Sequence, residues 1–230
     1  MNKTIGLIGG MTPESTIMYY RALNKFAAER FGEKHSSNVL LASVDFGLVS
    51  KYQQKNRWDL LNQMMVKAAK NLEKGGAKCI LICANTMHLT FDAVRNNVTI
   101  PVLHIAETTG IEVKTKHISK VALLGTKYTM EKTFYKDVLA KHGIETLIPD
   151  KHDRELIHNV IYNELAFGNV VIESKQSYLR IINQLIENGA EGIVLGCTEI
   201  PMLINQADVS VPVFDTTNIH ANAAFQKMAE

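Results

Sequence analysis

The feature that most constrains this chain is an internal repeat. Three segments recur in the second half in the same order: Ile5–Gly9 as Val121–Gly125, Gly76–Ile82 as Gly189–Leu195, and Ile100–Leu103 as Val211–Phe214. The paired segments lie 116, 113 and 111 positions apart. Any two βα units look somewhat alike, but chance would not keep one order at a nearly constant spacing. We therefore infer a duplicated half-domain.

Each half alternates short apolar runs with helical patterns. The first half predicts four strands and, among its helices, one from Trp58 to Leu72 with apolar residues at helical spacing; the strands are Ile5–Ile8, Val39–Val44, Cys79–Cys83 and Val98–Ile105. Thr12 can cap, and Pro13 can open, the helix after the first strand. Such alternation is typical of parallel sheets with helices on their faces. We predict an α/β fold of two pseudo-symmetric Rossmann-like domains, each with a parallel four-stranded sheet.

The polar stretch Lys114–Ser119 lacks helical and strand periodicity. It predicts a boundary that divides the chain into residues 1–115 and 116–230, with a C-terminal helix that can cross back onto the first half. Two domains of this size leave a cleft between them, which is a common place for a small-ligand site. We expect the active site there.

Charge and cysteine usage exclude several classes of function. The 25 basic and 23 acidic residues give a net charge of +2 without a basic run, so nothing predicts nucleic acid or a membrane surface as a partner. The longest apolar stretches are far shorter than the roughly 18 residues that span a bilayer. The first residues lack the pattern of a signal peptide, and three cysteines are an odd number. We expect a reduced, cytoplasmic protein without a disulfide framework.

Ligands of open parallel sheets bind beyond the carboxyl ends of the strands. The residues just after the predicted strands are rich in Thr, Asn and Cys, in the segments Gly9–Thr16, Cys83–His88, Gly125–Thr129 and Gly196–Ile200. Hydroxyls, amides and helix-start N–H groups bind a small carboxylate directionally. The sequence therefore predicts a site for a small carboxylate.

Cys197 is the leading catalytic candidate. It follows Gly196 at a strand exit, where a helix start would favour the thiolate and lower the pKa of the thiol. A small buried hydrophobe is the alternative interpretation. The repeat aligns Cys197 with Ala84 and aligns Cys83 with Gly196. Neighbouring strand residues point to opposite faces, so Cys83 is expected to face away from the site, and Cys79 to lie in the core.

The other polar residues at strand exits have competing interpretations. Asn85 and Thr86 bind substrate or form an Asx-turn or helix cap, while His88 and Glu199 tune a base or are structural. The eight histidines show no H-x-x-x-H spacing and no CxxC accompanies them, so we expect no metal. The Gly9-Gly10 pair lacks the full G-x-G-x-x-G pattern, which favours a tight βα turn or carboxylate binding over a nucleotide.

Three of these segments resemble the aspartate racemase branch of the aspartate/glutamate/hydantoin racemase superfamily: Gly9–Met11, Ala84–His88 and Gly196–Glu199. The resemblance implies a cofactor-independent isomerase of amino acids with two pseudo-symmetric α/β domains. One cysteine from each half flanks the substrate α-carbon; one removes the α-proton and the other returns a proton from the opposite face. Asn85, Thr86, Thr126 and Thr198 match the positions that hold the carboxylate. We add Met11, Gln53 and Thr129 as substrate-binding candidates, and expect a homodimer.

One departure from the family pattern limits this expectation. The first cysteine of the family is Ala84 here, and alanine cannot transfer a proton. A water, a neighbouring side chain or a bulge that presents Cys83 could substitute for it. We expect a weak or one-sided racemase that uses Cys197. The alternatives are a single-cysteine decarboxylase or lyase and a non-catalytic carboxylate-binding homologue.

Overall fold

The computed structural model describes residues 3–229, which form two compact units. Unit 1 consists of residues 3–105 and 220–229, and unit 2 consists of residues 106–219. Each unit is an open parallel sheet flanked by helices, so the predicted α/β class with parallel sheets is confirmed. The chain passes between the units twice.

The sheet of unit 1 has three strands rather than the predicted four: β1 (Ile5–Gly9), β2 (Val39–Ser43) and β3 (Cys79–Ile82), in the order β2-β1-β3. The predicted fourth strand is reduced to a single parallel bridge between Ile80 and Val102. Ile80 N–H donates to the Pro101 carbonyl, and Leu103 N–H donates back to the Ile80 carbonyl. A helix begins at Ile105, so the extended segment ends before more pairs can form.

The sheet of unit 2 has the predicted four strands. They are β4 (Lys120–Gly125), β5 (Glu145–Leu147), β6 (Gly192–Gly196) and β7 (Val213–Asp215), in the order β5-β4-β6-β7. All the paired strands are parallel. The two central strands are buried along most of their length, as expected of a sheet covered on both faces.

Ten α-helices lie within residues 3–229: α1 (Pro13–Phe31), α2 (Phe46–Gln54), α3 (Trp58–Lys74), α4 (Phe91–Arg95), α5 (Ile105–Thr115), α6 (Lys127–Glu131), α7 (Thr133–Lys141), α8 (Lys151–Asn163), α9 (Ile172–Glu187) and α10 (Thr216–Met228). Short 3₁₀ turns cover Thr86–Thr90, Leu165–Phe167, Ile200–Met202 and Gln206–Asp208. None of the helices in this part of the chain is both long enough and apolar enough to cross a membrane.

Local sequence explains how α1 and α3 begin and pack. The Thr12 hydroxyl accepts a hydrogen bond from Ser15 N–H, and Pro13 is the first residue of α1, as predicted. The apolar stripe predicted over residues 58–72 forms α3, which buries Leu61 and Met65 against the sheet of unit 1. Gly75 and Gly76 follow its last turn.

The boundary between the units differs from the predicted division at 115/116. Helix α5 belongs to unit 2 almost in full, because it makes its side-chain contacts there: Tyr135 O–H donates to the Thr109 hydroxyl at 3.2 Å, and both groups are buried. The polar stretch that suggested a boundary is the end of α5 and the turn after it. The chain crosses instead at Ile105.

The second crossing lies within α10, which begins in unit 2 and belongs to unit 1 from His220 onward. There Ala221, Ala224 and Phe225 are buried in an apolar cluster with side chains of β1 and α1, such as Ile5 and Tyr19. Unit 1 is therefore built from two segments that are far apart in sequence.

The pairing of the strands reproduces the internal repeat. In unit 1 Ile8 pairs with Ile82, and in unit 2 Leu124 pairs with Leu195. The sequence match aligns Ile8 with Leu124 and Ile82 with Leu195. The two halves therefore share one register, and the residues just beyond β3 occupy the same positions in their sheet as those just beyond β6.

Candidate active site

The loop after β3 carries the candidate residues of unit 1. Ala84, Asn85 and Thr86 are all buried there. Ala84 belongs to the apolar cluster that also contains Met11 and Met87, so the predicted Met11 is buried on the same side of the sheet as Ala84. The methyl group at position 84 therefore packs on the same side of the sheet as the side chains after β1.

Cys83 lies on the other side of the sheet. Its side chain is in the cluster that contains Tyr19 and Phe225, and its carbonyl accepts a hydrogen bond from the Ser15 hydroxyl. Burial raises the pKa of the Cys83 thiol and raises the pKa of Cys79 to about 12. Both cysteines are therefore protonated, unreactive core residues at neutral pH.

Gln53 and His88 also lie against the loop after β3. The Gln53 amide, at the end of α2, donates to the Met87 sulfur at 3.4 Å. Ring nitrogen Nδ1 of His88 is 3.0 Å from the Ala84 carbonyl oxygen, and Nε2 accepts the Ile105 N–H at 3.1 Å. Burial, followed by the nearby His104 and His220, lowers the pKa of His88 well below its ordinary value. The ring is neutral.

The loop after β6 carries the candidate residues of unit 2. Two side chains donate to the same oxygen, Oε2 of Glu199: the Cys197 thiol at 3.0 Å and the Thr198 hydroxyl at 2.7 Å. All three residues are buried. Glu199 therefore contacts Cys197 directly, which the sequence analysis left open.

The expected lowering of the Cys197 pKa is wrong: the pKa is raised well above the ordinary value of a thiol. Burial is the largest cause, followed by the charge of Glu199 and the hydrogen bond to it, and the N–H groups of Glu199 and Thr198 oppose this only in part. The expectation assumed a helix start. The structure has a turn at residues 198–199 and then a three-residue 3₁₀ turn, which has no comparable dipole.

Thr126 and Thr129 lie beside the loop after β6. Gly125 pairs with Gly196, so the exits of β4 and β6 are adjacent. Thr126 is the N-cap of α6; its hydroxyl accepts the Thr129 N–H at 3.3 Å and lies 3.4 Å from the Thr129 hydroxyl. Thr126 therefore caps α6, whereas Asn85 makes no side-chain capping bond to the 3₁₀ turn that follows it.

The sequence analysis missed an aromatic group on α8 and α9. The charges of Cys197 and Glu199 contribute, after burial, to a raised pKa of Tyr162 and of Tyr178, which places both phenols near these residues. The His158 ring is 4.5 Å from the Tyr162 ring. Positions 158 and 162 are one helical turn apart, but sequence alone does not show which face of α8 approaches β6.

Each unit thus assembles its own set of candidates. Unit 1 groups Met11, Gln53, Asn85, Thr86 and His88 around the loop after β3, and unit 2 groups Thr126, Thr129, Cys197, Thr198 and Glu199 around the exits of β4 and β6. Within residues 3–229 no group of three or more His, Cys, Asp or Glu side chains is arranged to hold a metal ion. The available chemistry is that of one thiol, one carboxylate and several neutral hydrogen-bonding groups.

The chain is similar over most of its length to known proteins. The model of the Asp/Glu/Hydantoin racemase family matches residues 8–224. The broad specificity amino-acid racemase RacX of Bacillus subtilis is 22% identical over 221 residues, which are 93% of this chain and 92% of that protein. A crystal structure of an aspartate racemase homologue from Pyrococcus horikoshii has a TM-score of 0.87 and 38% identity, and covers 99% of this chain and 100% of its own.

A crystal structure of a proposed Asp/Glu racemase from Yersinia pestis is also similar, with a TM-score of 0.92 and 45% identity; the match covers 99% of this chain and 100% of that chain. These similarities extend over both units rather than over one of them. The chain belongs to the Asp/Glu/hydantoin racemase family.

Proposed function

We propose that the protein is a cofactor-independent amino-acid racemase in which Cys197 transfers the α-proton. The observation that carries this proposal is the hydrogen bond from the Cys197 thiol to Glu199, in a buried loop after a central strand. Family membership supports the reaction class. The similarity to RacX favours a broad range of amino-acid substrates over a single one.

In the proposed mechanism, Glu199 first accepts the thiol proton and releases it to solvent. The resulting thiolate removes the α-proton of the substrate, and the electron pair of the broken Cα–H bond remains on the substrate as a carbanion. The Cys197 thiol formed in this step then returns a proton to the carbanion and becomes a thiolate again, which closes the cycle; inversion requires a proton from a second donor on the opposite face. A buried carboxylate 3.0 Å from the sulfur is in reach for the first step, as a general base must be.

We propose that Asn85, Thr86, Thr126 and Thr198 stabilise the carboxylate of the substrate. Neutral donors in a buried site stabilise developing charge more strongly than they would in water. The hydroxyl of Thr198 donates to Glu199, so Thr198 would contact the substrate through its backbone N–H. Thr126 caps α6, and its hydroxyl lies at the adjacent exits of β4 and β6.

Ala84 favours a second candidate function on the same residues. Inversion needs proton-transfer groups on both faces of the α-carbon, and the repeat assigns the second position to Ala84. A decarboxylation produces a carbanion that needs only one proton donor. A one-cysteine lyase that releases CO₂ from a carboxylate substrate is therefore the alternative, and a non-catalytic carboxylate-binding protein is the third possibility.

The test is α-proton exchange in D₂O across a panel of L- and D-amino acids, with deuterium incorporation measured by NMR and configuration by chiral chromatography. Exchange together with inversion supports the racemase. Release of CO₂ from malonate-type substrates supports the lyase, and binding without either reaction supports the carboxylate-binding protein. The control is Cys83→Ala, which removes a buried thiol on the other side of the sheet and should leave exchange unchanged.

A further inference from the structure

Unit 1 contains a cluster of three histidines, in which His88 and His220 are buried and His104 is half-buried. The ring centroid of His88 is 4.8 Å from that of His104 and 5.6 Å from that of His220. Such a cluster could suggest a metal site, but backbone groups already occupy both ring nitrogens of His88. We therefore infer the role of His88 from those two hydrogen bonds.

The partners of His88 determine its tautomer. Backbone N–H of Ile105 can only donate, so Nε2 of His88 accepts and carries no hydrogen. In the neutral ring the hydrogen is then on Nδ1, which donates to the Ala84 carbonyl. In a charged ring Nε2 would also carry a hydrogen, and this N–H would point at the Ile105 N–H, so the hydrogen bond between them would be lost. Only one protonation state satisfies both contacts.

His220 takes the opposite tautomer. The Leu103 carbonyl can only accept, so Nε2 of His220 donates to it at 3.1 Å. Nδ1 then accepts the hydroxyl of Tyr19 at 2.8 Å. The two rings hold the short segment 103–105 through different atoms, but only His88 also holds the candidate loop after β3.

We propose that His88 is a positioning residue that sets the orientation of the Ala84–Asn85 peptide. A trans peptide is planar, so its C=O and N–H point in opposite directions. No cis peptide occurs within residues 3–229. A hydrogen bond that fixes the Ala84 carbonyl therefore also fixes the direction of the Asn85 N–H, away from His88. This inference rests on the proposed function, in which the loop binds the substrate carboxylate.

The second half has no counterpart of the contact between His88 and the Ala84 carbonyl, and its loop is held by a different contact. The repeat aligns His88 with Pro201, which has no hydrogen-bonding side chain, and aligns Thr86 with Glu199. In unit 2 the carboxylate of Glu199 gathers the Cys197 and Thr198 side chains from within the loop. Unit 1 has no acidic residue at that position, so its loop is oriented from outside by a histidine.

The experiment compares His88→Asn with His88→Gln. The Asn amide nitrogen lies near the place of Nδ1 and can still donate to Ala84, whereas the Gln amide lies near the place of Nε2 and can replace only the contact with Ile105. The control is His220→Gln. It replaces a histidine that is as buried as His88, and it leaves the hydrogen bond between His88 and the Ala84 carbonyl in place. Both kcat and KM are measured, together with amide hydrogen exchange of residues 84–86.

We expect His88→Gln to raise KM, or lower kcat/KM, and to speed amide exchange of the loop by about tenfold each, the scale of one lost hydrogen bond. His88→Asn should stay within about threefold of the native protein, and His220→Gln should change global stability without changing either readout. Equal losses in His88→Asn and His88→Gln, or unchanged loop exchange in His88→Gln, would overturn the proposal.

A second measurement needs neither activity nor a variant. The ¹⁵N shifts of the imidazoles in the native protein should show His88 protonated at Nδ1 and His220 protonated at Nε2. An Nε2-protonated or charged His88 would overturn the inference. If the native protein shows no α-proton exchange with any substrate, the proposed function fails, while loop exchange and the ¹⁵N shifts still decide the role of His88.

Discussion

The thiol of Cys197 is held as a proton donor rather than as a thiolate. Its buried sulfur donates to a carboxylate, and both burial and the carboxylate charge raise its pKa. A base that forms only after the thiol proton has left through Glu199 to solvent differs from a cysteine that a helix terminus keeps ionised. The rate of proton abstraction should therefore depend on the small fraction of enzyme in which the thiol has lost its proton.

We predict that α-proton exchange keeps rising with pH beyond the ordinary pKa of a thiol. A raised pKa means that the thiolate fraction is low at neutral pH and grows as the solution becomes more alkaline. Alkylation of Cys197 by iodoacetamide should follow the same curve, measured by mass spectrometry of the peptide. A rate that levels off near neutral pH would contradict the prediction.

Substitution of Cys197 tests the same residue directly. Cys197→Ser should lower the exchange rate by at least about 10²-fold, the usual scale of a lost general base. A serine hydroxyl fits the same space and can still donate to Glu199, so the fold should persist. Near-normal turnover of a well-folded Cys197→Ser protein would remove Cys197 from the mechanism.

Ala84 predicts that exchange is faster than inversion in the native protein. Cys197 alone returns a proton to the face from which it was removed, so one enantiomer should exchange without changing configuration. Ala84→Cys should raise inversion by roughly 10²-fold, because it supplies the missing group. The added sulfur enters a packed cluster and costs about 1–3 kcal/mol of stability at most.

The matched control for this prediction is Ala84→Ser. A hydroxyl has nearly the size of a thiol but is far less acidic, so this variant should not gain inversion. Deuterium incorporation and chirality, followed together from each pure enantiomer, give both rates. Equal and fast inversion from both enantiomers in the native protein would show that another group already acts on the second face.

The repeat correctly predicted the common register of β3 and β6, which the pairs Ile8–Ile82 and Leu124–Leu195 reproduce. It could not predict the acidity of Cys197. That property depends on how deeply the loop after β6 is buried and on where the Glu199 side chain turns, and both are set by packing. The contact of His88 with Ala84 was also beyond prediction, since it depends on the path of the 3₁₀ turn after the loop.

At the scale of elements, the turn between β1 and α1 is held by close backbone packing. Gly10 has φ +85°, and a Cβ there would overlap the Val44 carbonyl oxygen. Its N–H donates to the Thr16 hydroxyl at 2.8 Å. The chain after β1 therefore passes so close to the end of β2 that only glycine fits.

Two alanine variants separate the free-energy cost of a left-handed backbone conformation from the cost of steric overlap. Gly76 also has a positive φ, +95°, but a Cβ there meets nothing within 4 Å. Gly76→Ala should cost about 1–2 kcal/mol of unfolding free energy, for the left-handed conformation alone. Gly10→Ala should cost at least about 3 kcal/mol, because steric overlap adds to the same strain. Urea denaturation of both variants measures the difference; equal losses would mean that Val44 moves aside easily.

Most helices and strands with a strong hydrophobic pattern could be predicted from the sequence, whereas those with a weak pattern could not. Helix α3 has an apolar stripe over four turns, and its predicted start at Trp58 is confirmed. The predicted strand at 98–105 forms one bridge, since its apolar run is interrupted by Pro101 and continues into α5. An apolar run shows burial, but its length alone does not distinguish a strand from the approach to a helix.

At the scale of the molecule, buried neutral histidines make unit 1 sensitive to acid. Burial lowers the pKa of His220 to about 3 and that of His88 well below the ordinary value. In the unfolded chain both histidines titrate near about 6.5. Below that pH the unfolded state binds protons that the folded state does not, so stability falls as the pH decreases.

We predict that the unfolding free energy falls by up to ~1.4 kcal/mol per pH unit for each of these two histidines below about pH 6.5. Urea titrations from pH 7.5 to 5 measure the slope. The single tryptophan, Trp58, lies in unit 1 and reports on that unit by fluorescence. His220→Gln should reduce the slope by one proton. A slope that His220→Gln does not alter would contradict the prediction.

The discontinuity of unit 1 determines the order in which the protein can fold on the ribosome. Residues 106–219 emerge as one continuous segment, so unit 2 can fold without a contribution from a distant part of the chain. The apolar cluster around Tyr19 stays open until Ala221, Ala224 and Phe225 have left the exit tunnel. Unit 1, most of which is made first, must therefore complete its core last, and its apolar face around Tyr19 stays exposed to solvent until then.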